Sequence, residues 1–504
     1  MQNDHPITFF WYDYETFGLS QRKDIPAQFA GIRTNAALDR IEPSVTLYMK
    51  PSMDTLPSPK SVLLTHILPQ KCFRDGVTER RFAKTIWEAF NQPNTISIGY
   101  NTLGFDNQVS RFLFWRNFRS AYTHEWKNGC QVWDLFPVIC AYWSMRGQGI
   151  HWPEWKNLDP QKYDTRNKEG VCFKLEALTR ANGLSHRHAH DALSDVEATI
   201  ALAKLLKKAN PRFWDWALAN RTKRAVVKTV EAGPFLWFSP KFGQASGFVR
   251  ATVAIGRDPK NRNSVWTWDL MHDPEELRSL TAEDWQRRMG RSEDLHEGEE
   301  RLPVYSLRVN ASPIVINQLK ALPKERAQAF GIDRNVVQAN YQKFLTMQDE
   351  IRSALMHALE TRQKTQRDRR ASDETRPEEM LYDMDFDRLR PDEHAMQRVS
   401  VMSLEALAQR NIHFRNPRLS LMLFHYRARN DRSLLTAREK KVWRQYCYAR
   451  LVNGYRGART IHAFDDEIDA LVRVYNDRED VMRFLEALHD WGVYLGEYCS
   501  AQEK

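Results

Sequence analysis

Three short stretches of this sequence carry acidic residues at spacings that suit cation-assisted hydrolysis. Asp13-Tyr14-Glu15-Thr16 closes one apolar run, residues 101–106 (NTLGFD) follow a second, and residues 188–195 (HAHDALSD) open a helix-like stretch. In an extended chain residues i and i+2 point to the same side, so Asp13 and Glu15 leave the backbone together. Two carboxylates this close repel unless a cation joins them, and hard divalent ions such as magnesium or manganese prefer carboxylate oxygen. Alone the pair proves little: with 64 acids in 504 residues, an acid-x-acid triple arises by chance about eight times. Asp106, where a strand turns into a helix, taken alone reads more readily as an ordinary N-cap than as a site residue. Asp195 lies one turn into its helix and His190 just before it, so an acid and an imidazole can enter one space. A lone histidine there is more often a surface residue, however, and Asp191 is an alternative cap.

The elements that must hold these groups follow from periodicity. Residues 7–12, 29–34, 45–49 and 95–100 read as strands, and 79–90, 106–117, 174–182 and 191–209 as helices, the last ended by Pro211. This alternation predicts an α/β fold over residues 1–209, a mixed sheet covered by helices. After Pro211, Gly233, Pro234, Pro240, Gly243, Gly247 and Gly256 punctuate short runs at 235–238, 247–255 and 264–270, which predicts a small β-rich domain over 210–360. Charge dominates 361–395, expected as an exposed linker, and 396–504 carry the periodicity of an all-helical C-terminal domain.

Composition bounds the function. The 42% hydrophobic and 12% aromatic content excludes disorder over most of the length. No stretch approaches the roughly 20 apolar residues of a membrane span, and Asp4, His5 and Pro6 do not begin an export signal. Six cysteines without a C-x-x-C pair indicate neither a zinc knuckle nor a disulfide framework, so a cytoplasmic location is expected. A net charge of +10 and a pI of about 9.2 favour a polyanionic partner, nucleic acid first, with an unpartnered basic surface as the alternative.

Together, DYET, NTLGFD and HDALSD resemble the three motifs of the 3′→5′ exonucleases named for Asp-Glu-Asp-Asp with an added histidine, whose domain is similar in fold to ribonuclease H. The longer segments ITFFWYDYETFG, IPAQFAGIRT, GYNTLGFDNQVSRFLFWRNF, GIHWPEW, FKLEALTRANGLSHRHAHDALSDVEATIALAK and FHYRARN resemble the bacterial exonuclease I family, strongly over residues 7–209 and patchily beyond. The resemblance implies a ribonuclease H-like domain, then a small Src-homology-like barrel, then a helical domain.

It also implies roles. Asp13, Glu15, Asp106 and Asp195 would hold two Mg2+ ions, with Mn2+ as a substitute, about 3.5–4 Å apart, as phosphodiester displacement requires. His190 would be the general base, since imidazole titrates near neutral pH, and the product would be a 5′ mononucleotide. Arg111, Tyr122, Trp126, Phe173 and Lys174, with Glu15 at the terminal nucleotide, would by this resemblance contact single-stranded DNA, while Phe17 and Arg146 are further candidates by residue type and position near the motifs, about half of such aromatics being expected in the core instead. Lys174 stands where the family commonly has arginine, so a bidentate phosphate contact there is not implied. The expected partner is the C-terminal tail of single-strand DNA-binding protein, and a monomer suffices. The alternatives are an RNA-trimming 3′→5′ exoribonuclease, whose relatives are small and single-domain, and an inactive single-strand-binding clamp, which would be expected to have lost a metal ligand.

Overall fold

The structure, a computed structural model, describes residues 6–186, 190–290, 292–369, 375–383 and 389–501, the side chains of 362–369 excepted. Asp4, His5, and the His188 and Ala189 that begin the third motif lie outside the described residues. The chain forms two compact units that interleave the spans expected from sequence: Met1–Gln131, His186–Ile200 and Ser372–Lys504 make one, Val132–Ser185 and Ala201–Ala371 the other.

In the first unit, β1 (Thr8–Thr16) lies between β2 (Pro26–Thr34), antiparallel to it, and β4 (Thr95–Gly99), parallel to it; β3 (Val45–Tyr48) extends the sheet beyond β2. The sheet is mixed, as expected. β1 runs four residues past the apolar stretch that predicts it, because the ladder to β2 keeps the polar residues extended as far as a bulge between Glu15 and Thr16. Its alternation separates two faces: Phe10, Tyr12 and Tyr14 enter one apolar core with Phe29, Phe82 and Phe90, while Asp13 and Glu15 point the other way. The helix Glu79–Phe90 covers that core with Phe82, Ile86 and Phe90, a four-residue repeat on one face. Trp443, Leu488 and Trp491, from the helices Ala437–Leu451 and Glu479–Ser500, complete the same cluster. The C-terminal region is all-helical, and its apolar faces are covered by the strand-bearing part of this unit.

In the second unit, β5 (Gln131–Asp134) ends at Asp134, whose carboxylate accepts from the Phe136 N–H (2.9 Å) and caps the helix Leu135–Met145. A separate antiparallel sheet follows, formed by β6 (Phe235–Phe238), β7 (Val249–Arg257), β8 (Ser264–Asp269), β9 (Val304–Arg308) and β10 (Ile314–Ile316) in the order β10-β6-β7-β8-β9. A bulge between Ala254 and Gly256 adds curl. Composition did not foretell the helix Arg334–Arg369 beside this sheet.

The span 361–395 differs from the expected exposed linker. That helix continues to Arg369, and Arg376, Glu378 and Glu379 are buried. Their charges are matched inside the fold. Asp54, fully buried, meets Arg429 (3.1 Å), Arg376 (3.5 Å) and Arg450 (3.8 Å), and Glu378 meets Arg429 (3.0 Å) and His425 (2.7 Å). Burial pushes the Asp54 carboxyl up, but Arg429, Arg450 and Arg376 outweigh it and hold the group well below the usual carboxylate range. A charge-dense segment looks solvated by composition, whereas here opposite charges supply its burial partners.

Candidate active site

Asp13 and Glu15 stand on the β1 face turned away from the aromatic core, Glu15 buried and Asp13 half-buried. From β4 the chain passes close under β1 through Gly99, where a Cβ would fall 2.6 Å from the Tyr12 carbonyl oxygen and 2.3 Å from Thr102 Cγ2. It then enters the helix Asp106–Arg116. Asp106 is the first residue of that helix and Phe105 occupies the N-cap, so the ordinary capping alternative is not what forms. Instead the Asp106 carboxylate accepts a hydrogen bond from the Tyr14 N–H (3.3 Å), between the two acids of β1.

The third motif arrives on the helix Ala192–Ala209. Asp191 is its cap, accepting from the Ser194 N–H (3.3 Å). His190 immediately before it is exposed and holds φ +68°, a left-handed conformation of the kind that concentrates at functional sites. The structure brings Glu15, His190 and Asp195 together: one ligand atom of each lies within 4.8 Å of the other two. Asp13 and Asp106 belong to the same charge cluster. Burial and then the charges of Asp106, Asp195, Glu15 and Asp191 push Asp13 well above the usual carboxylate range, and burial with Asp195, Asp106 and Asp191 pushes Glu15 up to about 9. Such an excess of negative charge among oxygen donors is what a hard divalent cation neutralises, so the residues present fit one.

Two further residues join this arrangement without having been singled out by motif. His186 Nε2 lies 2.5 Å from Asp195 Oδ1, its side chain 4% exposed. Gln28, on β2 directly opposite Glu15, donates to Asp191 Oδ1 (2.9 Å). The available signals were weak: a histidine four residues ahead of His190, and one amide within a strand whose residues are all buried.

Three successive spans of the chain match known families. The family described as Exonuclease matches residues 10–203, that described as Exonuclease I SH3-like domain residues 221–361, and that described as Exonuclease I C-terminal domain residues 375–495. Exodeoxyribonuclease I of Haemophilus influenzae is 32% identical over 495 residues, which cover 97% of this chain and 99% of that protein. The chain belongs to the exonuclease I family. Among solved structures, Escherichia coli exonuclease I in complex with a dA16 oligonucleotide is similar with a TM-score of 0.85 and 31% identity, over 97% of this chain and all of that one. A structure described as SSB/Exonuclease I in complex with the inhibitor CFAM matches with a TM-score of 0.85 and 30% identity, with the same coverage.

The substrate contacts expected of an exonuclease I divide between the two units. In the first, Trp126 is 68% exposed and free to offer a ring face. Phe17 is not: it is 3% exposed, packed into the core where β1 leaves the sheet, which corrects the expectation of a stacking surface. Arg111 is engaged, its guanidinium forming two bonds to Glu125 (2.6 and 2.8 Å), lying over the Tyr122 ring (5.1 Å) and donating to Tyr382 Oη (3.1 Å). In the second unit, Phe173 sits within an aromatic group of Trp143 (5.5 Å), Trp152 (5.8 Å) and Phe248 (5.1 Å). Lys174 beside it is exposed, with Nζ 5.7 Å from the Tyr163 ring centre and 6.0 Å from that of Trp155, and Arg146 is exposed as well.

Proposed function

We propose that this chain hydrolyses single-stranded DNA from its 3′ end and releases 5′ mononucleotides, with Asp13, Glu15, Asp106 and Asp195 holding two divalent cations, Mg2+ with Mn2+ as a substitute. The observation that carries this reading is the convergence of Glu15, His190 and Asp195 within 4.8 Å, in the same charge cluster as Asp13 and Asp106. Bound cations supply an acidified water and neutralise the charge that builds on the phosphate. His190, exposed at the rim of the cluster, accepts the proton of the attacking water on its imidazole nitrogen. Glu15, at the last regular pair before the β1 bulge, also meets the terminal nucleotide.

Trp126, Tyr122 and Arg111, and separately Phe173, Lys174 and Arg146, are the aromatic and basic groups we assign to single-stranded DNA bound without sequence reading. The oligonucleotide in the Escherichia coli relative supports single-stranded DNA as substrate, and the SSB/Exonuclease I structure supports single-strand DNA-binding protein as partner, which we assign to its C-terminal tail. Matches over residues 221–361 and 375–495 weigh against a small RNA-trimming enzyme, and the full set of acids against an inactive clamp. We infer a monomer, in the cytoplasm, acting in DNA repair and recombination. Among the described residues no helix is long and apolar enough to cross a membrane.

The test is digestion of 3′-labelled and 5′-labelled oligonucleotides, as single-stranded DNA, duplex DNA and single-stranded RNA, with Mg2+ and with chelator. Immediate release of labelled mononucleotide from the 3′ label of single-stranded DNA alone, abolished by chelator, is the expected result. Preference for RNA, or binding without cleavage, would overturn it.

A further inference from the structure

β2 is buried along its whole length, and packing accounts for most of its side chains but not for the amide of Gln28. Gln28 is 2% exposed, with Ala27 and Phe29 on either side fully buried. A buried amide costs stability unless both of its ends are bonded, and an apolar residue would avoid that cost. Here both ends are used. Nε2 donates to Asp191 Oδ1 (2.9 Å) and to Tyr48 Oη (3.4 Å), and Oε1 accepts from the Ala192 N–H (3.2 Å). Ala192 is the first residue of the helix Ala192–Ala209, so this N–H is one of those with no partner inside the helix.

Position gives the amide its consequence. Gln28 pairs in register with Glu15, and the two residues it grips lie between His190 and Asp195. One side chain thus fastens the start of the helix to the strand position opposite the first motif. We propose that Gln28 is a positioning residue of the nuclease site, setting the helix start so that His190 and Asp195 come within reach of Glu15. It touches neither substrate nor reacting atoms; it acts through Asp191 and Ala192. The inference rests on the nuclease reading for its kinetic arm and on that reading's cation site, but not on cleavage, for its Mn2+ arm.

The experiment compares the wild-type full-length protein with Gln28→Leu, Gln28→Glu and the double variant Gln28→Glu/Asp191→Asn. Leucine removes all three bonds. Glutamate keeps the acceptor for Ala192 but sets carboxylate against carboxylate at Asp191. The double variant restores the pair in reverse, because the amide introduced at position 191 donates to the carboxylate introduced at position 28 while its oxygen still accepts from the Ser194 N–H. Each protein is measured for unfolding temperature, for kcat and KM on single-stranded DNA, and for Mn2+ binding by calorimetry. Both single variants should lose roughly 10- to 100-fold in kcat and Mn2+ affinity with KM nearly unchanged, and the double variant should recover most of that loss. A merely structural amide would instead give kcat and Mn2+ affinity that follow unfolding temperature, with no recovery in the folded double variant, and that result overturns the proposal. Wild-type kinetics and Mn2+ binding in folded Gln28→Leu overturn it too. If the wild type does not cleave DNA, the nuclease reading fails, while loss and recovery of Mn2+ affinity across the same set still decides the role of Gln28.

Discussion

His186 Nε2 lies 2.5 Å from Asp195 Oδ1, so the acid that the third motif delivers is itself held by a histidine nine residues earlier. Partners of this kind fix the orientation of a ligand carboxylate, and their loss typically costs 10- to 100-fold in metal affinity or activity. His186→Ala should therefore raise the Mg2+ concentration needed for half-maximal activity by roughly that factor while leaving single-stranded DNA binding in chelator unchanged. An unaltered Mg2+ titration would remove His186 from the site.

Asp195→Ala is expected to abolish cleavage in a folded protein, and His190→Ala to leave Mn2+ binding in place while slowing turnover by about 10² to 10⁴, the range for a lost general base. Single-turnover digestion with calorimetry separates the two. Wild-type turnover in either variant would contradict its assigned role.

The crowded acids make cation-free stability depend on pH with a definite sign. Glu15 holds its proton up to about pH 9 when folded, against about 4.3 for an ordinary glutamate. Between these values the folded state binds more protons than the unfolded one, so stability present below the lower value is lost as pH rises through the upper. In chelator, Asp13→Asn should unfold at a higher temperature than wild type, by a margin that widens from pH 6 to pH 9. Saturating Mg2+ should close most of the gap. A margin that narrows with rising pH would show that these carboxylates do not repel.

Asp54→Ala should destabilise the fold by about 3–5 kcal/mol, because removing one partner of a buried ion cluster leaves the others uncompensated. Urea unfolding at neutral pH measures this. The sign of its own pH dependence is opposite to that of Glu15: a carboxyl held below the usual range contributes stability that is lost as pH falls through its folded value.

Two aromatics expected to do similar work should behave differently. Trp126→Ala is expected to weaken single-stranded DNA binding by about 1–3 kcal/mol with little effect on unfolding temperature. Phe17→Ala should instead lose about 3–5 kcal/mol of stability, the range for a large-to-small change in a core. Fluorescence titration and thermal unfolding of both variants provide the comparison.

The sequence by itself determined the local elements and marked the residues of the candidate site. Alternation placed Phe10, Tyr12 and Tyr14 on one face and Asp13 and Glu15 on the other, and helical repeats such as Phe82, Ile86 and Phe90 fixed covering faces, because both patterns depend only on backbone geometry over a few residues. Three motifs in order then marked the acids and the histidine. What tertiary structure alone decided are relations between residues far apart in the chain. Gln28 meeting Asp191, Asp106 accepting from Tyr14 and Arg376 sharing Asp54 with Arg429 span 163, 92 and 322 or more positions, and no local pattern encodes such pairs. The same reason accounts for Phe17 and the segment around Arg376: their sequence neighbours suggest exposure, whereas burial is set by what the rest of the fold brings alongside them.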